Sequence, residues 1–155
     1  MSTSLDISLT PFSEGAVAAD ALFRLYAQLL RPYVEPVFGW NEACQRARVA
    51  RNYPAECLQL VRLDDLVAGC LALRQRPGSL HLSLILVSAD FQGLGIGTAV
   101  VRRLLADAAS SGSVLTLSCF RRNEGAIRLY ERLGLAVVGG DEHFVDMTST
   151  APRSP

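Results

Sequence analysis

Lysine is missing from this 155-residue chain; its 15 basic residues are all arginine, and 15 acidic residues balance them. A formal net charge of zero argues against a nucleic-acid binder that relies on broad electrostatics. The all-arginine usage itself reads as genomic composition. No apolar run approaches the roughly 20 residues of a membrane-spanning helix, so no membrane partner is expected. Cysteine is sparse, at Cys44, Cys57, Cys70 and Cys119. None forms a Cys-x-x-Cys pair, so no metal site is expected. Without an evident signal-peptide pattern, reduced thiols and a cytoplasmic location are the expectation. Half of the residues are hydrophobic, which marks a folding chain rather than a disordered one. Its length suits one domain that is stable without staples.

Against these absences, one glycine-rich stretch stands out: Gln92-Gly93-Leu94-Gly95-Ile96-Gly97-Thr98. It follows the apolar run Leu82-Ser83-Leu84-Ile85-Leu86-Val87 and precedes a helical pattern from Gly97 to Ser110. A strand, a Gly-rich loop and a helix together present backbone N–H groups to an anion, aided by about half a positive charge at the helix N-terminus. Glycine lets the chain turn sharply and lets the anion approach. A nucleotide-hydrolase loop would need a lysine, which the chain lacks. A dinucleotide loop needs Gly-x-Gly-x-x-Gly, whereas here Thr98 follows three alternating glycines. The remaining pattern is Gln/Arg-x-x-Gly-x-Gly/Ala, matched by Gln92, Gly95 and Gly97.

Further on, Ser-Val-Leu-Thr-Leu-Ser at 113–118 alternates as a strand does. Then Asn123-Glu124-Gly125-Ala126-Ile127-Arg128-Leu129-Tyr130-Glu131-Arg132-Leu133-Gly134 reads as a helix. Asn123 caps it, Ile127, Tyr130 and Leu133 form its apolar stripe, and Gly134 closes it. This pair of motifs resembles the GNAT superfamily of N-acetyltransferases, where a pyrophosphate loop is followed, one strand–helix unit later, by Asn-x-x-Ala-x-x-x-Tyr-x-x-x-Gly.

The resemblance implies an α/β (α+β) fold over residues 1–148, with a flexible tail over 149–155. Its central sheet would be mixed and mostly antiparallel, with helices on both faces and the fourth and fifth strands splayed around CoA. It implies an acyltransferase using acetyl-CoA as donor, without a metal, and acting directly on a primary amine. Residues 92–98 would hold the pyrophosphate through backbone donors. Leu86, Val87 and Ser88 would pair with the pantetheine amides as though CoA were an added strand. Asn123 would contact the pantetheine or phosphate arm. Tyr130 would donate a proton to the departing thiolate, since a phenol with pKa near 10 is protonated at neutral pH.

His81 is the candidate general base, at the place in strand four where histone-type members carry a catalytic Glu. Its unperturbed pKa near 6.5 suits the task, and Ser83 is expected on the same strand face. Glu35, Glu42 and His143 are alternatives. The segment from Tyr33 to Gln45 is the acceptor-side element that the family implies. It resembles bacterial members with Gly-Trp-Asp-Glu-x-x-Gln, although here Asn41 stands in the Asp position. Tyr33, Trp40, Glu42 and Gln45 are its candidate substrate-binding residues. The acceptor, a small-molecule or peptide amine, is left open among aminoglycosides, polyamines, amino acids, peptide N-termini and protein lysines. So are a CoA-binding sensor without turnover and transfer of a different acyl group. A homodimer is the expectation from family habit.

The elements expected in order are a strand at 4–10 and a helix at 15–30, then a break at 31–39 forced by Pro32 and Pro36. A helix at 41–51 follows. Strands are expected at 57–63, 66–74 and 79–87, a helix at 97–110, and a strand at 113–118. The 123–134 helix and a closing pair at 135–139 and 143–147 complete the series.

Overall fold

The computed structural model describes residues 5–12 and 16–150; the expected start of the first strand at Ser4 and most of the expected tail lie outside them. The strands are β1 (Ile7–Pro11), β2 (Leu58–Leu63), β3 (Leu66–Arg76), β4 (Ser79–Val87), β5 (Val114–Phe120), β6 (Ala136–Gly140) and β7 (Phe144–Thr148). The helices are α1 (Ala16–Phe38), α2 (Glu42–Asn52), α3 (Ile96–Ser110) and α4 (Glu124–Arg132), with single 3-10 turns at Ala55–Cys57 and Ala89–Phe91. The order is the expected one. The sheet runs β1-β2-β3-β4-β5-β7-β6. Its pairs are antiparallel except β4 with β5, which are parallel.

Two apolar layers sandwich the sheet. On one face Val100, Val101, Leu104 and Ala108 of α3, with Tyr130 of α4, pack on Val61, Leu71, Leu82, Leu115 and Leu117. On the other, Leu22, Phe23 and Tyr26 of α1 and Val49 of α2 pack on Leu58, Cys70, Ala72, Leu84 and Leu86. Each fully buried leucine or valine stabilises the fold by about 1.5–3 kcal/mol relative to exposure.

Two sequence expectations fail here. The break at 31–39 does not occur, because α1 runs through Pro32 and Pro36 to Phe38. Both prolines are exposed, so water can satisfy the carbonyls their missing N–H groups leave free. Gly39, at φ +72, and the cap by Asn41, whose side chain accepts from the Cys44 N–H, separate α1 from α2.

The second failure lies inside β4. Ala72 pairs with Leu84 but Leu73 pairs with Leu82, so Ser83 is an extra residue, a β-bulge. Leu82 therefore faces α3 and α4, while Leu84 and Leu86 face α1 and α2. His81, opposite Arg74, shares the face of Leu84. The bulge removes the two-residue alternation on which the place of Ser83 in that row rested, and Ser83 lines the cleft described below.

Candidate functional site

The parallel pairing of β4 with β5 lasts only from Ser79↔Val114 to Leu82↔Leu117. Past the bulge the two strands separate, and a cleft of about 940 Å³ opens between them. It reaches both faces of the sheet. Residues of the glycine loop and α4 line one side, and residues of α1 and α2 line the other.

The glycine loop is shaped for an anion. Gln92 donates from Nε2 to the Val87 carbonyl at 3.0 Å, tying the loop to the end of β4. Gly93 and Gly95 have φ of +80 and +84, a conformation that costs other residues roughly 1–2 kcal/mol. Gly95 is the N-cap of α3 and offers no side-chain cap. The amides of Ile96, Gly97 and Thr98 thus lack intrahelical acceptors. No acidic residue in the first turn offsets the helix's positive end. Gly97 lies at the cleft wall, in a conformation open to any residue.

At α4, Asn123 both lines the cleft and caps its helix, accepting from the Ala126 N–H at 3.3 Å. Tyr130, 6 % exposed, also lines the cleft. Burial, reinforced by the neighbouring Cys119, pushes its phenol up to about 12. Burial likewise pushes the Cys119 thiol up to about 11. Both groups are neutral at physiological pH.

The structure brings Leu86, Val87, Gln92, Gly93, Gly95, Ile96, Gly97, Thr98, Asn123, Tyr130 and Tyr33 to this cleft. It places the others elsewhere. Leu94 is 52 % exposed at the loop tip, and Ser88 turns its N–H to the Ala68 carbonyl at 2.8 Å. Trp40 packs against Phe23 and Tyr26 with the Arg31 guanidinium over it. Glu42 is exposed in the first turn of α2, and Gln45 is buried, its Oε1 without a partner.

His81 lies where β4 and β5 are still paired, its Nδ1 2.8 Å from the Thr116 hydroxyl. Burial, with Arg76 and Arg74 nearby, holds its pKa below the usual 6.5 against a weaker opposing pull from Asp146. A histidine kept neutral in the fold costs stability when it must charge. That stability is complete above about pH 6.5 and is lost as pH falls through the lower folded value. Urea melts between about pH 7 and pH 5 should therefore show a decline that His81→Asn flattens.

Several cleft residues were not singled out from sequence. Phe120 and Phe144 pack with tilted rings, their centroids 4.5 Å apart, and Tyr33 and Phe38 extend this aromatic wall. Ser118 lines the cleft and donates to the Asp146 carboxylate at 2.6 Å. Ser118 and Thr116 occupy alternate positions of β5, so Asp146, Ser118, Thr116 and His81 form one polar row. Alternation on β5 and β7 could have placed Ser118 and Thr116 together, but the pairing of β7 beside β5 is not local information.

Among the described residues, no group of three or more His, Cys, Asp or Glu is placed to hold a metal ion, and no helix is long and apolar enough to cross a membrane. The sequence model of the acetyltransferase (GNAT) family matches residues 20–135. No curated protein matches the chain in sequence. Among solved structures, PH1933 from Pyrococcus horikoshii OT3 is similar at a TM-score of 0.73 and 19 % identity, over 96 % of this chain and 100 % of that one. The Paia N-acetyltransferase from Thermoplasma acidophilum, in complex with coenzyme A, gives 0.70 and 12 %, over 94 % and 99 %. The ribosomal-protein-S18-alanine N-acetyltransferase from Escherichia coli gives 0.69 and 18 %, over 97 % of each. At these identities the likeness is one of fold.

Proposed function

Because the chain belongs to the acetyltransferase (GNAT) family, whose chemistry is acyl transfer from a CoA donor, we propose that it moves an acetyl group from acetyl-CoA directly to a primary amine. The observation that carries this reading is the cleft itself, which opens between β4 and β5 and has the uncapped N-terminus of α3 at its wall. That donor set suits a pyrophosphate, and the unpaired stretch of β4 suits a ligand rich in amides. Acetyl-CoA supplies the activated thioester carbonyl.

The chain's own residues do the rest. The backbone amides of residues 96–98 bind the anion. Leu86 and Val87 align the acyl arm, and Asn123 borders it. As the N–C bond forms and the C–S bond breaks, the amine loses one proton and the thiolate gains one. Tyr130 donates the latter, because a phenol held near 12 is fully protonated at neutral pH. The amine's proton passes to the Ser118–Asp146 pair, whose carboxylate accepts from the Ser118 hydroxyl at 2.6 Å. Cys119, held as a thiol, is a poor nucleophile, which favours direct transfer over an acyl-cysteine.

Two measurements test this reading. Isothermal titration should detect acetyl-CoA binding, and its absence would sink the proposal. Tyr130→Phe should lower kcat by about a hundredfold with little change in the KM for acetyl-CoA. Equal turnover by the variant would remove the phenol from the mechanism.

A further inference from the structure

The α1/α2 side of the cleft has a one-sided charge. Among the described lining residues Arg48 is the one formally charged side chain; the Asp146 carboxylate stands behind Ser118 on the β5/β7 side, 2.6 Å from its hydroxyl. Arg48 forms no ion pair among the described residues, unlike Arg24, Arg31, Arg46 and Arg128. Its guanidinium carbon lies 5.7 Å from the Phe38 ring centroid, at the start of the aromatic wall. Its charge also acts on the phenols of Tyr26 and Tyr53, which line the same side. Arg74 adds a second positive charge within reach of Tyr53. It donates to the Asn52 carbonyl at 2.6 Å, at the C-terminal end of α2, whereas Arg48 has no carboxylate partner among the described residues.

An uncommitted guanidinium beside two phenols is a receptor for a planar anion. The same side would repel a polycation. Next to it, Phe38, Phe144, Phe120 and Tyr33 form a continuous aromatic surface, with neighbouring centroids 4.5–6.3 Å apart. We propose that the acceptor is an amine that also bears a carboxylate, with the character of an apolar or aromatic amino acid. Arg48, beside Tyr26 and Tyr53, holds the carboxylate, and the aromatic wall takes the side chain. This assignment rests on the acyl-transfer reading of the cleft and narrows it.

The test uses acceptors that differ only in the carboxylate. Acetyl transfer to phenylalanine should exceed transfer to phenethylamine by about ten- to a hundredfold in kcat/KM, the range of a charged hydrogen bond. Arg48→Met should collapse that ratio, and Tyr53→Phe should reduce it. Arg48 is exposed on α2, so its loss leaves the core intact, as circular dichroism will show. Titration of N-acetylphenylalanine gives a readout that needs no turnover: it should bind, and bind at least about tenfold more weakly to Arg48→Met. No binding of N-acetylphenylalanine, a ratio near one, or a preference for phenethylamine or spermidine overturns the assignment. Acetyl-CoA titration reports separately on the underlying reading, so the two can fail independently.

Discussion

Gly97→Glu is expected to weaken acetyl-CoA binding by about a hundredfold or more, or roughly 2.7 kcal/mol, without loss of stability. Gly97 is the second residue of α3 and lines the cleft. Its φ is not positive, and an added Cβ would meet only Leu129 Cδ2 at 3.8 Å, an ordinary contact. The fold therefore accepts a side chain there. A carboxylate in the first turn even favours the helix by about 0.3–1 kcal/mol. The same carboxylate occupies the anion's place. Two like charges about 4 Å apart repel by about 4 kcal/mol at the effective dielectric of a protein surface. Gly95→Glu is a less clean probe, because φ +84 adds backbone strain to the electrostatic effect. Calorimetric titration beside a thermal melt separates the two. A stable Gly97→Glu protein that binds acetyl-CoA as the parent does would show that the pyrophosphate lies elsewhere.

Gly69→Ala should cost about 3 kcal/mol of stability, a fall in Tm of about 10 °C for a chain of this size. Gly69 sits in β3, flanked by β2 and β4, and pairs with Val87. A Cβ there would lie 1.9 Å from the Leu86 carbonyl oxygen and 3.1 Å from the Val87 Cα. Both are backbone atoms, so no rotamer relieves the clash and the end of β4 must shift. Leu86 and Val87 line the cleft, so acetyl-CoA affinity should fall with stability. Urea melts and titration of the same preparation check both effects. An alanine variant as stable as the parent would mean that the two strands do not approach so closely.

The fold was largely legible because its signals are local. The nine residues of β4 and the caps of α2 and α4 matched the expected patterns. The same holds for the inward stripe of α3. What escaped depended on solvent or on distant chain. Pro32 and Pro36 stop helices in general, and only their exposure lets α1 pass through them. The bulge at Ser83 carries no sequence mark, yet it decides which face His81 occupies. Half of the cleft was legible for the same reason: the loop at 92–98 and the start of α4 are contiguous motifs. The other half is assembled from α1, α2, β5 and β7. Arg48, Phe120 and Phe144 look like ordinary surface or core residues until folding sets them side by side. Trp40 was expected at the acceptor from the resemblance of its segment, but Phe23 and Tyr26 take its ring.

The short seam between β4 and β5 leaves a bound ligand as a second link between two parts of the sheet. The sheet is two blocks, β1 to β4 and β5 to β7, joined by strand pairing only from Ser79↔Val114 to Leu82↔Leu117. A ligand spanning the gap touches both blocks and must leave before they part. At a free concentration a hundred times its dissociation constant, such a ligand adds about 2.7 kcal/mol to the folded state. A protein that opens along this seam is exposed to proteases in proportion to the open fraction. Its steady-state abundance would then follow the supply of its own acyl donor.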